Sequence, residues 1–316
     1  MFFLNKIITR IKIYLQEFKI RILNNLKPIL HKFTNDDSLF FLAHQTVNQK
    51  KIIDDLKIGN ILDESIKDYK KSDTLFIMGC GPSINEISNE DFVNISKHDS
   101  IGFNLFSLKK FKTTFYAWQS YSVNWLNYLN NNLDYFKDMP LLLRFGSHSN
   151  PKELKNKLSF LMNNKIYCIH EFPIVSASAI DPSLLIKFTQ DLRILDFNKI
   201  SRLIPKFKTS IGLFMPLAYQ MGYKKIVLCG IDLKETSTHF YDTSEYEEEL
   251  SKYYYNKVNY QNTEKYFTDR KFSKYITEDY VNAMKEHFEK ENDVKTYVFS
   301  KSSALYPSLP LYTFNK

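Results

Sequence analysis

The sequence predicts an α/β protein: a Rossmann-like parallel sheet with helices on both faces. Short apolar runs recur at residues 74–78, 100–103, 114–116, 141–144, 165–169, 225–229 and 295–299. Longer segments with helical periodicity separate most of them, which is the alternation of a doubly wound sheet. Two of the runs end in glycine-bearing turns, Gly79-Cys80-Gly81-Pro82-Ser83 and Gly230-Ile231-Asp232. In such sheets ligands bind outside the carboxyl ends of the strands, so both turns are candidate ligand contacts.

Composition supports a folded body. Of 316 residues, 44% are apolar and 16% aromatic, enough to bury a core and to exclude a disordered, collagenous or disulfide-scaffold chain. The length admits two domains or one large α/β domain. Cys80, Cys168 and Cys229 are an odd count at unrelated spacings, which suggests neither a disulfide framework nor a zinc cluster and fits a reducing compartment. The net charge of +8 is concentrated at the start of the chain. Residues 1–33 carry Lys6, Arg10, Lys12, Lys19, Arg21, Lys27 and Lys32 against Glu17 alone, leaving a body with 36 basic and 34 acidic residues. That balance does not call for a nucleic-acid partner.

In chain order, residues 1–33 read as a basic amphipathic helix. Leu4, Ile8, Ile11, Leu15, Phe18, Ile22, Leu26, Ile29 and Phe33 fall on one stripe, and Pro28 kinks or divides it. The charges leave no window of about 18 residues to span a bilayer, and they interrupt any signal-peptide core. Two readings stay open: an anchor lying in the headgroup plane of an anionic membrane, or a helix packed on the domain or on a second subunit of a homo-oligomer. Residues 34–72 read as a connector and residues 73–316 as one Rossmann-like domain. Within that domain 174–208 is mostly helical by pattern, a cap over the sheet. Residues 233–275, rich in Tyr, Glu, Lys, Asn and Thr, read as a small lid.

The first turn has the residues of an anion site. Its glycines let the backbone turn tightly and approach a ligand closely. Ser83 and Glu86 form a capping-box pattern that predicts a helix start, whose free amides bind phosphate or carboxylate. Ile84 stands where a dinucleotide fingerprint has its third glycine, and the second strand ends at Asn104 rather than an acid, so NAD is disfavoured. No Gly-Lys-Ser/Thr of a Walker loop follows. A second unit, Thr209-Ser210, precedes a helix that Gly222 ends, and the next strand stops at Gly230-Ile231-Asp232. Asp232 can hold a hydroxyl, orient a base or simply cap a turn. In Ser237-Thr238-His239-Phe240-Tyr241-Asp242, His239 can take a proton from a sugar hydroxyl, and Tyr241 can donate to a phosphate or carboxylate. His98, His148 and His170 have no nucleophilic or acidic constellation around them. There is no HExxH, CxxC pair, GxSxG or DxD, so metal and serine-hydrolase chemistries lack support.

Taken together, these units resemble the bacterial sialyltransferases of glycosyltransferase family 42. The Gly79–Ile87 stretch is similar to that family's Gly-x-Gly-Pro-Ser-Leu motif, and Phe103-Asn104 to its Asn after the second strand. The closest match runs from Thr209-Ser210 through Met221–Lys225 to Gly230-Ile231-Asp232, and the resemblance covers about residues 73–306. It implies one Rossmann-like transferase domain, a GT-A-like variant with a small lid. It also implies inverting chemistry without a metal or other cofactor, and a CMP-linked nonulosonic acid as donor substrate. Gly79, Cys80, Gly81, Pro82, Ser83, Asn104, Thr209, Ser210, Gly230 and Asp232 would line or shape the nucleotide site. The acceptor would be a surface oligosaccharide or glycolipid, and the location the cytoplasm, peripheral to the inner face of the membrane. Cys80 replaces the family's Asn, and its catalytic His has no counterpart in Phe272-Ser273-Lys274-Tyr275. The base is then His239 or Asp242, and Tyr241 or one of Tyr253–Tyr255 meets the donor phosphate or carboxylate. The same motifs resemble a group of bacterial proteins with a pterin-pyrophosphokinase-like domain, some linked to nonulosonic acid transfer. That resemblance implies an alternative, ATP-dependent pyrophosphoryl transfer. A third reading is a non-catalytic nucleotide-binding factor at the membrane.

Overall fold

The computed structural model describes residues 50, 53–55, 59–119, 123–144, 165–174, 181–233, 239–251, 269–271 and 273–314. The strands are β1 (Asn60–Ile61), β2 (Thr74–Met78), β3 (Asp99–Phe103), β4 (Phe115–Gln119), β5 (Leu141–Arg144), β6 (Ile166–Ile169), β7 (Glu171–Ile174), β8 (Ile204–Phe207), β9 (Lys225–Cys229) and β10 (Lys295–Val298). The α-helices are α1 (Asn89–Ile95), α2 (Val123–Asn131), α3 (Leu133–Phe136), α4 (Pro182–Asp191), α5 (Ile211–Gln220), α6 (Ser244–Ser251) and α7 (Thr277–Asn292). Eight strands form one parallel sheet in the order β1-β6-β5-β4-β3-β2-β9-β10.

Period-two alternation places apolar side chains on both sides of that sheet. In β2, Leu75 and Ile77 enter one core and Phe76 and Met78 the other; in β9, Ile226 and Leu228 oppose Val227 and Cys229. Helices α4, α5 and α7 cover the first face through residues such as Leu185, Phe214 and Tyr280. Tyr128 of α2, Phe136 of α3 and Tyr246 of α6 cover the second, with Phe106 and Phe240. Helix α7 turns Tyr280, Val281, Met284 and Phe288 inward at steps of one, three and four, as an amphipathic helix on a sheet must. The fold is therefore the expected α/β sheet with both faces covered.

The structure departs from the sequence reading in several elements. Within 34–72, Asn60–Ile61 pairs with β6, and Ile53, Leu62 and Ile66 are buried, so this stretch joins the core as well as connecting. A two-residue strand has no periodicity to read. Within 174–208 the helical expectation holds for α4, which Asp181 caps through the Ser183 and Leu184 amides. It fails for Ile204–Phe207, which pairs with β7 in a second, two-stranded parallel sheet. Part of the stretch read as a lid forms α6. The amphipathic helix of residues 1–33, with Tyr253–Tyr255 and Phe272, lies outside the described residues. No helix among the described residues is long and apolar enough to cross a membrane.

Candidate functional site

From β2 the chain steps outward through β3, β4, β5 and β6, then returns to lay β9 on the other side of β2 and moves on to β10. Strand order thus reverses between β2 and β9, and a reversal of this kind opens a crevice at the carboxyl ends of the two strands. The two glycine-bearing turns are the continuations of these two strands. Gly79 N–H donates to the Cys229 carbonyl and Gly81 N–H to the Gly230 carbonyl, each at 2.8 Å. A Cβ on Gly79 would lie 2.4 Å from Ile231 Cδ1 and 2.5 Å from the Gly230 oxygen. Gly230 itself sits at φ +64°, a conformation that favours glycine. Contact this close requires the absence of side chains at both places.

Asp232 binds the two turns together. Its Oδ2 accepts the Ser83 backbone N–H at 3.0 Å, and a Cβ on Gly81 would fall 2.3 Å from the same oxygen. This corrects the expected free amide end. The chain after Gly81 is a five-residue 3-10 helix (Pro82–Glu86) without a side-chain cap, and its Ser83 amide is already taken by a carboxylate. The capping box lies one turn later, where Ser88 and Asp91 cap α1 reciprocally. Glu86 is used elsewhere: Ser300 Oγ and Ser302 Oγ both donate to its carboxylate, the latter at 2.5 Å. The loop after β10 is further fastened by Ala304 N–H to the Asp232 carbonyl at 2.8 Å and Ser303 Oγ to the Ile231 carbonyl at 2.6 Å. Three loops from adjacent strands therefore share one hydrogen-bonded framework.

The His239–Asp242 segment joins that framework. Phe240 N–H donates to the Cys80 carbonyl at 2.9 Å, and Asn85 Nδ2 donates to the Phe240 carbonyl at 3.0 Å. Asp242 Oδ2 accepts the His239 backbone N–H at 2.8 Å and lies 3.4 Å from His239 Nδ1. The imidazole stacks on Tyr241, with centroids 4.7 Å apart and planes at 5°. Tyr241 and Phe240 are buried in the core cluster under the turn. The side chain of Cys80 is also turned inward, where Sγ donates to the Phe103 carbonyl at 3.6 Å.

The remaining expected residues lie along the same carboxyl edge, farther from the two turns. Asn104 follows β3, is exposed, and adopts a left-handed φ of 55°, which Asn tolerates better than most residues. Thr209 and Ser210 open α5, and Ser210 Oγ accepts from Arg144 Nη1 at 3.1 Å at the end of β5. Thus the structure brings Gly79–Ser83, Gly230–Asp232 and His239–Asp242 into direct contact, while Thr209–Ser210 is anchored toward β5. Asp232 Oδ1, Asp242 Oδ1 and Thr209 Oγ1 are buried polar atoms without a hydrogen-bond partner. Such atoms carry a desolvation cost that a donor from a ligand or water relieves. Among the described residues, no group of three or more His, Cys, Asp and Glu side chains is placed to hold a metal.

The sequence reading missed a buried charge cluster on this edge. Arg144 Nε bonds Glu171 Oε1 at 2.5 Å, and Lys206 Nζ lies 3.1 Å from Glu171 Oε2. Burial pushes the Glu171 carboxyl up, but Arg144 and Lys206 outweigh it and hold it at about 2. Lys206 is itself pushed down by burial and by Arg144. Lys208, at a left-handed φ of 59°, reaches Ser273 Oγ at 2.5 Å and the Tyr275 carbonyl, and burial lowers its amine to about 8. The one local signal was Arg144, a charge closing an apolar strand.

The topology and the site define a doubly wound α/β protein whose two glycine-bearing turns meet at its strand-order switch, the place where such folds hold ligands. No family model matches the chain, and no curated protein matches it. Among solved structures it is similar to the monofunctional alpha-2,3-sialyltransferase Cst-I from Campylobacter jejuni: 17% identity, 78% of this chain, 85% of that one, and a TM-score of 0.44. It is also similar to an alpha-2,3-sialyltransferase from Campylobacter jejuni in apo form, at 18% identity over 78% and 83% of the two chains with a TM-score of 0.37.

Proposed function

We propose that the chain is an inverting glycosyltransferase that moves a nonulosonic acid from a CMP-linked donor to a glycan acceptor. The observation that carries this reading is the convergence of Gly79–Ser83 and Gly230–Asp232 at the switch point, with His239 held beside the first of them through the Phe240 N–H to Cys80 carbonyl bond. A histidine beside a nucleotide crevice suits transfer to a hydroxyl. The motif resemblance to sialyltransferases narrows the donor to a CMP-sugar.

In the proposed reaction the acceptor oxygen attacks the anomeric carbon from the face opposite the phosphate. The carbon–oxygen bond to phosphate breaks, its electron pair leaves with CMP, and the acceptor proton passes to His239 Nε2. Asp242, facing Nδ1, favours the tautomer with the proton on Nδ1 and steadies the imidazolium that forms. Tyr241 fixes the ring plane by stacking.

Thermal unfolding with nucleotides tests the donor class. A ligand at about 100 times its Kd adds about 2.7 kcal/mol to stability, so CMP should raise Tm by several degrees. Absence of any shift with millimolar CMP would contradict the reading, and a magnesium-dependent shift with ATP alone would favour pyrophosphoryl transfer instead. His239→Ala should lower turnover by about 10²–10⁴ while CMP binding persists.

A further inference from the structure

The amino edge of the sheet, opposite the candidate site, carries an open cleft of about 400 Å³. Its walls come from the starts of β2 and β9, the turn from α1 into β3, the side of β10, and the stretch 311–314, which bridges β10 in parallel at Val298. Five-residue strands at about 3.3 Å per residue set the two edges about 16 Å apart, so this cleft is separate from the crevice above.

Its chemistry is one-sided. Lys97, His98 and Lys225 line it, and no carboxylate does. Lys97 Nζ is held by Asn94 Oδ1 at 2.8 Å, at the carboxyl end of α1, where a cation also complements the helix dipole. Lys225 and His98 have no such employment: neither side chain makes a hydrogen bond or ion pair to another described residue. Asp99, the acid next to His98, is turned away, its carboxylate accepting the Lys71 and Ser72 amides and the Tyr223 hydroxyl. Opposite the cations stand Tyr297 and Tyr312, packed edge to face at 5.6 Å. Tyr312 is braced on Phe76 at 5.3 Å, so its wall is rigid.

We propose that this cleft is a second binding site, for a small phosphorylated sugar whose phosphate sits between Lys225, His98 and Lys97 and whose hydroxyls face Tyr297, Tyr312 and Asn94. A phosphate dianion matches the uncompensated charge better than a carboxylate, and charge-assisted hydrogen bonds to it are the strong kind. The tyrosine rings and hydroxyls give a sugar both an apolar wall and polar partners. The volume limits the ligand to a small molecule. His98 adds a pH dependence. Burial, helped by Lys225 and Lys97 and opposed by Asp99, disfavours its charged form. A bound phosphate reverses that balance, so binding takes up a proton and tightens as pH falls toward about 6, where the free phosphate begins to protonate itself.

Such a site would bind its ligand whether or not the chain transfers a sugar at the other edge. Isothermal titration of the full chain with glucose 6-phosphate, and with glucose as the uncharged control, tests it at pH 6 and pH 8. We expect saturable binding of glucose 6-phosphate only, tighter at pH 6. Lys225→Ala, an exposed side chain at the start of β9, should weaken it at least tenfold with the circular dichroism spectrum unchanged. His98→Gln should abolish the tightening, leaving binding no stronger at pH 6 than at pH 8, and Asp232→Asn at the other edge should leave binding as in the wild type. No binding of glucose 6-phosphate at millimolar concentration, equal binding by Lys225→Ala, or loss of binding in Asp232→Asn would each overturn the proposal.

Discussion

Replacing Gly81 with alanine probes the joint between the two turns by a single methyl group. The new Cβ would stand 2.3 Å from Asp232 Oδ2 and 2.8 Å from the Gly230 carbonyl oxygen, both closer than real Cβ contacts come. The carboxylate has to rotate away, which breaks its bond to the Ser83 amide. A hydrogen bond to a charged group contributes about 1.5–3 kcal/mol. The Gly230 carbonyl is backbone and already accepts from Gly81 N–H, so the ends of β2 and β9 must also spread. Overpacking of this kind costs about 1–3 kcal/mol. The combined loss of roughly 3 kcal/mol or more should lower Tm by about 6–12 °C at about 2–4 °C per kcal/mol, measured by calorimetry. A double-mutant cycle with Asp232→Ala sharpens the test, because removing the carboxylate lifts one of the two obstacles. The double variant should then be more stable than the sum of the single losses by about 1 kcal/mol. A Gly81→Ala protein within about 2 °C of wild type, or strict additivity with Asp232→Ala, would refute the joint.

Other expectations follow from the same geometry. Glu171→Gln leaves Arg144 and Lys206 buried together without their carboxylate, and urea unfolding should show a loss of about 3–5 kcal/mol. In the wild type, Glu171 is held at about 2 against an ordinary 4.5. Its contribution to stability is therefore complete above about pH 4.5 and disappears as pH falls toward 2. An acid unfolding limb unchanged by Glu171→Gln would count against that. For residues 1–33, which lie outside that geometry, deletion separates the two readings of the sequence: a truncated protein that stays folded but no longer sediments with anionic liposomes supports the anchor, and one that unfolds supports a helix packed on the domain.

Much of the fold could be read from the sequence because it is written locally. The strands at 74–78, 141–144 and 225–229 are apolar runs bounded by turn residues, and β2, β5 and β9 have those limits. Gly222 ends α5 at a φ of +75°, as a glycine after a helix commonly does. What could not be read depends on partners distant in the chain. Ser83-x-x-Glu86 and Ser88-x-x-Asp91 are equivalent as capping patterns. The second caps the helix because Asp232, 149 residues from Ser83, takes the first serine's amide, and Ser300 and Ser302 take Glu86. The buried cluster of Arg144, Glu171 and Lys206 joins three strands and has no sequence spacing at all. His239 lay beside a second glycine turn in sequence, but its closeness to Cys80 comes from one backbone hydrogen bond across 160 residues.

Hydrogen exchange of the full chain with and without saturating CMP addresses the central claim most directly. The nucleotide should slow exchange together in peptides covering residues 79–86 and 230–242, the two sides of the β2–β9 switch, and leave the amino edge unchanged. Slowing confined to other segments, or none at all, would mean that the crevice is not where this protein holds a cytidine nucleotide.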